Sequence, residues 1–170
     1  CTVFEMHKRE RIFQRIVQPE ILRLANAEAE KMGFCSEVYT PDTIYYRQKT
    51  EWTSLDVDLC GLKGEAVADF DEFLKRGFAK MLIPGEPKDL LILQERLKEK
   101  LKDKAVVFIS KPYFLEVLPP ACGKGEAVTF LADRLGIPVA QTMGFGDSMN
   151  DESMIRLCGY GVAMKNALPY

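Results

Sequence analysis

The chain has 170 residues, a net charge of −2, and 47% hydrophobic against 28% charged residues. That length holds one ordinary domain, or a small domain with part of another, and the composition is that of a folded globular protein rather than a disordered one. Lys and Arg are scattered along the sequence, which excludes the basic face that nucleic-acid binding needs. No apolar run approaches the ~20 residues that span a bilayer, so neither nucleic acid nor membrane is expected as a partner.

The first residues, Cys1-Thr2-Val3-Phe4-Glu5, carry neither the basic start nor the apolar core of a secretory signal. They also lack an initiating Met, and the expectation is that processing or truncation has removed something upstream. Glu5 to Arg11, with the only histidine, His7, looks like a solvated edge. Pro19 to Met32 is the first expected helix: Pro19 suits its first turn, Ile21, Leu24, Ala25 and Met32 share a face, and Gly33 stops it. Glu28, Glu30 and Lys31 fall elsewhere on that helix. Val38-Tyr39 and Ile44-Tyr45-Tyr46 then read as a hairpin about Pro41-Asp42. Glu51 to Gly64 has the least pattern of any stretch and is expected to be a loop or lid edge, with Asp56 and Asp58 on it.

Phe70 to Arg76 is a short helix ended by Gly77, and Ala79 to Ile83 a buried strand turned at Pro84-Gly85. Pro87 to Lys102 is the clearest helix, with Leu90, Leu91, Leu93, Leu97 and Leu101 as its apolar face. Ala105 to Ser110 and Tyr113 to Leu118 are strands, and the whole stretch from Pro19 to Leu118 reads as one α+β unit. A boundary falls near Pro119-Pro120. Beyond it the rhythm is βαβ-like. Helix Gly125 to Leu135 has Val128, Leu131 and Leu135 on one face; strand Gln141 to Gly146, helix Asn150 to Leu157 and strand Gly161 to Met164 follow. That rhythm favours a parallel sheet with its site at the carboxyl ends of the strands. The fold class is therefore α/β, with an α+β unit ahead of a parallel-sheet unit.

Five cysteines, Cys1, Cys35, Cys60, Cys122 and Cys158, are odd in number and far apart. Thiols in a reducing cytoplasm are expected, not a disulfide framework or a zinc site.

The stretch Gly144-Phe145-Gly146-Asp147-Ser148-Met149-Asn150-Asp151 carries the chemistry. A carboxylate just past a buried strand sits at the mouth of a sheet. Magnesium takes hard oxygen ligands and keeps several waters, so one or two such carboxylates suffice, and Asp147 is the candidate ligand. The neutral Asn150 amide can donate to a phosphate oxygen without adding repulsion. Asp151 opens the next helix, where the dipole favours a carboxylate. Lys124 lies between two glycines at a helix start, where the backbone can approach a ligand and a cation can neutralise phosphoryl oxygens. Asp151 could hold it by an ion pair. Singly, each feature has an ordinary explanation: Gly-Asp-Ser makes a good turn, Asp151 a helix cap, and Lys124 a solvated loop residue. The joint pattern favours a site. Trp52, Tyr45 and Tyr46 could line a pocket but fit packing as well, and Ser148 lacks the elbow and the histidine that a nucleophilic serine needs.

The order of Leu115-Glu116-Val117, Lys124-Gly125-Glu126-Ala127-Val128, Gly146-Asp147-Ser148-Met149-Asn150-Asp151, Met154 and Gly161-Val162-Ala163-Met164-Lys165-Asn166-Ala167 resembles the Cof-type subfamily of haloacid dehalogenase hydrolases. The resemblance implies a Rossmann-like core with a large α/β cap inserted. Residues 1–14 would be the connection to the cap, 15–118 a substrate-specificity cap domain, and 119–170 a partial core. It implies Mg²⁺-dependent hydrolysis of small phosphate monoesters, such as sugar phosphates, through an aspartyl-phosphate intermediate. Asp147 resembles the family's magnesium-binding acid, Lys124 and Asn150 its phosphate-binding pair, and Asp151 the bracing acid of the same loop. The catalytic set so implied is Lys124, Asp147 and Asp151.

The family's Asp-x-Asp-Gly-Thr nucleophile motif is not matched anywhere in the 170 residues; Asp56-Val57-Asp58 is followed by Leu-Cys-Gly. The expectation is an internal piece of a longer enzyme, inactive alone and poorly folded in its core part. Two other readings compete. One is a non-catalytic phosphate-binding or regulatory fragment of the same fold. The other is the phosphorylation domain of a P-type cation pump, which would need transmembrane spans near the loop.

Overall fold

The computed structural model describes residues 2–8 and 10–167. Cys1 and the Leu168-Pro169-Tyr170 end lie outside the described residues. The chain divides into two compact units, Cys1–Arg15 with Ala121–Tyr170, and Ile16–Pro120.

The unit Ile16–Pro120 is a mixed sheet with helices on both faces. Strands β3 (Glu37–Tyr39), β4 (Thr43–Tyr46), β5 (Lys63–Ala66), β6 (Met81–Pro84), β7 (Val106–Lys111) and β8 (Phe114–Leu118) form one six-stranded sheet in the order β5-β4-β3-β6-β8-β7. All pairs are antiparallel except β4 with β5, which are joined by helix α2 (Glu51–Cys60). Side chains alternate across a strand, and register decides which face each meets. Val38, Met81, Ile83, Val107, Leu115 and Val117 point to one face, where α1 (Pro19–Lys31), α3 (Phe70–Leu74) and α4 (Pro87–Leu101) close the core.

On α4 the buried leucines are Leu90, Leu93, Leu97 and Leu101, spaced by three and four residues. Leu91, expected on that face, is exposed, because one residue's step turns a helix about 100° and takes it off the stripe. On α1 the buried apolar residues are Ile21, Leu22, Ala25 and Ala29, and Leu24 faces out instead. Glu28 falls off the expected apolar face, yet it is nearly enclosed. Its carboxylate takes Lys31 at 2.6 Å and Lys100 of α4 at 2.7 Å, and these hydrogen bonds hold its pKa below the usual carboxylate range.

The stretch expected as a loop, Glu51 to Gly64, is helix α2 and the start of β5. Thr50 and Thr53 cap its first turn reciprocally, and Gly61 ends it at φ 64°. The apolar pattern is missing because the buried residues of this helix are Thr53 and Asp56. Asp56 and Asp58 thus lie on a helix, not on a strand or loop.

In the other unit, β1 (Thr2–Glu5) and β2 (Glu10–Gln14) form an antiparallel hairpin, with His7 exposed at its turn. Phe13 packs its ring 4.7 Å from that of Phe130, tying the hairpin to α5 (Lys124–Leu135). Strands β9 (Met143–Gly146) and β10 (Tyr160–Ala163) pair in parallel, with α6 (Glu152–Leu157) between them in sequence. Gly144 and Gly146 are buried on β9, while Met143 and Phe145 are exposed. On α5, Gly125 and Ala132 are the buried residues, and Leu135, expected on the apolar face, is exposed. Cys35, Cys60 and Cys158 are thiols. No helix among the described residues is long and apolar enough to cross a membrane.

Leu93 is fully buried at the centre of the helix-side core. Leu93→Ala should lower the unfolding free energy by about 2–5 kcal/mol, whereas Leu91→Ala should stay within ~0.5 kcal/mol of the parent chain. Urea unfolding followed by circular dichroism checks both.

Candidate active site

Strand β9 ends at Gly146, and the chain turns at once through Asp147 and Ser148 into a single 3₁₀ turn, Met149–Asp151, that runs on into α6. Gly146 is required by the fit rather than by its backbone angles: a Cβ there would lie 2.3 Å from Asp151 Cβ. The strand end and the acid are therefore pressed together.

Asp151 is buried, and both carboxylate oxygens are engaged. Oδ2 accepts from the backbone N–H of Asp147 at 3.1 Å and of Ser148 at 3.3 Å, closing the turn. Oδ1 accepts from Lys124 Nζ, so the ion pair expected from the sequence is present. The lysine's hydrogen bond, then those two amides, pull the Asp151 carboxyl below its ordinary range. With its oxygens so occupied, Asp151 organises the loop.

Lys124 opens α5, twenty-seven residues before Asp151, with its side chain about half exposed. The flanking glycines answer a packing constraint in the fold itself. A Cβ on Gly125 would sit 2.8 Å from the carbonyl oxygen of Ser153, and one on Gly123 would sit 2.7 Å from Ser153 Oγ. They admit α6. Ser153 Oγ also accepts from Gly125 N–H at 3.1 Å, and Glu126 Oε2 accepts from Gly123 N–H at 2.7 Å. Two of the four orphan donors of the α5 terminus are thus satisfied by side chains.

Asp147 is exposed at the strand mouth, and Asn166 Nδ2 donates to its Oδ2 at 2.9 Å. Its other oxygen, Oδ1, takes no hydrogen bond from the described residues. Asn150 is exposed; its carbonyl oxygen accepts from Ser148 Oγ at 2.7 Å, which leaves its amide hydrogens as donors. Lys124 and Asp151 are thus in contact, with Asp147 and Asn150 on the same turn. The sequence reading gave no role to Asn166, Ser153 or Glu126. Asn166 lay in the quoted Lys165-Asn166-Ala167 segment, and Glu126 stands three residues after the helix cap, which is a capping signal. Nothing in the sequence signals Ser153.

No group of three or more His, Cys, Asp or Glu among the described residues is arranged to hold a metal ion. What is present among the described residues is one carboxylate oxygen, Asp147 Oδ1, that takes no hydrogen bond. That fits a magnesium ion, which accepts one or two carboxylates and completes its shell with water.

The acid turn at the end of β9 is thus held to the lysine at the start of α5. The sequence profile of the haloacid dehalogenase-like hydrolases matches residues 1–170, and the chain belongs to that family. It is 41% identical over 93 residues to the HMP-PP phosphatase of Serratia proteamaculans, a match covering 55% of this chain and 34% of that protein. A haloacid dehalogenase-like hydrolase from Bacteroides thetaiotaomicron superposes with a TM-score of 0.90 at 26% identity, over 98% of this chain and 63% of that one. A Thermotoga maritima protein superposes at 0.84 with 28% identity, over 95% and 61%. The chain therefore spans less than two thirds of these relatives.

The depressed Asp151 carboxyl gives a signed prediction. Its folded pKa lies below the unfolded one, so its contribution to stability is complete above the ordinary carboxylate range and is lost as pH falls through the folded value. Thermal melts of the parent chain should drop on acidification. Asp151→Asn should start lower at neutral pH, by about 1–3 kcal/mol, and should lose that part of the acid dependence.

Proposed function

We propose that this chain carries the metal-and-phosphate half of the active site of a magnesium-dependent phosphatase for small phosphate monoesters, and that Ile16–Pro120 is its substrate-covering cap. The observation that carries the reading is the contact between Lys124 and Asp151 across twenty-seven residues, on the turn that holds Asp147 at the strand mouth.

In this reading Lys124, steered by Asp151, neutralises one oxygen of the phosphoryl group, and the Asn150 amide donates to another. Asp147, oriented through its Oδ2 by Asn166, offers Oδ1 to a magnesium ion. That ion, when bound, supplies positive charge against the oxygens of the transferring group. Asp151 neither binds metal nor attacks; it fixes the lysine and the two amides of the turn. The nucleophile is an aspartate outside these 170 residues, as the family resemblance implies, and covalent attack depends on it. The substrate is a small phosphorylated metabolite. HMP-PP, named for the relatives, and sugar phosphates are the first compounds to try.

The gene product containing these residues should hydrolyse such esters only with Mg²⁺. Asp147→Asn or Lys124→Ala should each lower kcat/KM by about 100-fold or more, the usual cost of removing one preorganised transition-state contact. The 170-residue chain alone should turn over nothing, including p-nitrophenyl phosphate. Full activity in Asp147→Asn sinks the reading, and phosphate binding without turnover by the whole gene product favours the non-catalytic alternative.

A further inference from the structure

The second face of the six-stranded sheet is built unlike the first. Register puts Glu37, Tyr39, Ile44, Tyr46, Leu82 and Glu116 on it, and α2 covers part of it through Thr53 and Asp56. Glu37 is completely buried and Asp56 nearly so.

One hydroxyl lies between these two acids. Tyr39 Oη is 2.5 Å from Asp56 Oδ2 and 3.3 Å from Glu37 Oε2. A phenol has a single hydrogen, and the shorter contact takes it, so Tyr39 donates to Asp56. Asp56 Oδ1 also accepts, from Cys60 Sγ at 3.6 Å. Asp56 is thus an acceptor twice over. Among the described residues Glu37 has no donor left: its Oε2 faces an oxygen whose hydrogen is committed elsewhere, and its Oε1 is buried with no hydrogen-bond partner. An ionised carboxylate so placed would be a desolvated charge beside a second carboxylate. A proton on Oε2 removes the charge and turns the 3.3 Å contact into a donated bond, Glu37 O–H to Tyr39 Oη, continuing as Tyr39 O–H to Asp56.

We infer that α2 is seated on the sheet through this Glu37–Tyr39–Asp56 relay, that Glu37 carries its proton in the seated state, and that loss of the proton releases the helix. Among the described residues no other group near the relay replaces that proton. Lys80 lies 4.3 Å over the Tyr39 ring but pairs with Glu116 at 3.7 Å, and Tyr46, Cys35 and Cys60 are neutral groups whose pKa values burial pushes up. Burial first, then the nearby Asp56, pushes the Glu37 carboxyl up to about 9. The Tyr39 phenol is raised further, so it keeps its hydrogen throughout. The folded value of Glu37 exceeds the unfolded 4.5, so its contribution to docking is whole below 4.5 and declines as pH rises to about 9.

The single tryptophan reports on this directly. Trp52 is in the first turn of α2, its ring stacked 6.3 Å from that of Tyr113 between β7 and β8. Raising the pH of the parent chain should shift Trp52 emission with a midpoint between 4.5 and about 9, while the amides of α4 keep their hydrogen-exchange protection. Glu37→Gln, which donates without ionising, should show no shift over the same range. Asp56→Asn, which removes the like charge, should move the midpoint to lower pH, and it serves as the test if Glu37→Gln fails to fold. No shift in the parent chain, an unchanged shift in Glu37→Gln, an unmoved or raised midpoint in Asp56→Asn, or simultaneous loss of α4 protection each overturns the inference.

Discussion

The carboxylate of Asp151 is a small group with two oxygens, one turned to a lysine from the preceding helix and the other to the backbone of its own loop. Because the turn after β9 closes on Oδ2, Asp147 is left pointing outward at the strand mouth. Because Oδ1 receives Lys124, the start of α5 is held against the start of α6. Charge-assisted bonds of this kind are the stronger ones, and here one acid makes them in two directions. Gly146, Gly123 and Gly125 serve the same constraint, since a side chain at any of them would enter space already held by Asp151 or Ser153.

The six-stranded sheet presents two kinds of surface from one backbone. Its helix-side face buries aliphatic residues against α1, α3 and α4, and burial of that kind tolerates no water and titrates nothing. Its other face receives a helix through a threonine, two carboxyls and a phenol. A polar contact of that sort depends on every hydrogen being placed, and leaving one unmade costs more than a made one returns. The first face holds the unit together; the second is where a change in proton occupancy acts.

The same division separates what was legible from what was not. Helix α4 and the strand Met81–Pro84 were readable because their partners are apolar, so burial leaves a periodic trace. Helix α2 left none, because its buried residues are Thr53 and Asp56, and an acid on an enclosed face looks like an acid on a wet one. Its caps, Thr50-x-x-Thr53 and Gly61, were the available signal. Leu91 and Leu135 were misplaced for a related reason: a leucine's hydrophobicity does not say on which side of a stripe it falls by one residue's rotation.

By itself the sequence determined the α/β class, the order of most elements, and the loop in which Asp147, Asn150 and Asp151 stand, because these follow from local periodicity and fixed spacing. It carried the pairing of Lys124 with Asp151 only as a suggestion. Tertiary structure decided that Asp151 is spent on Lys124 and two amides while Asp147 keeps an oxygen outward, that Asn166 returns to Asp147, and that Glu37 and Asp56 share one phenol. Those outcomes depend on groups far apart in the chain competing for particular hydrogens and particular space. That competition is settled only when the backbone has brought them together.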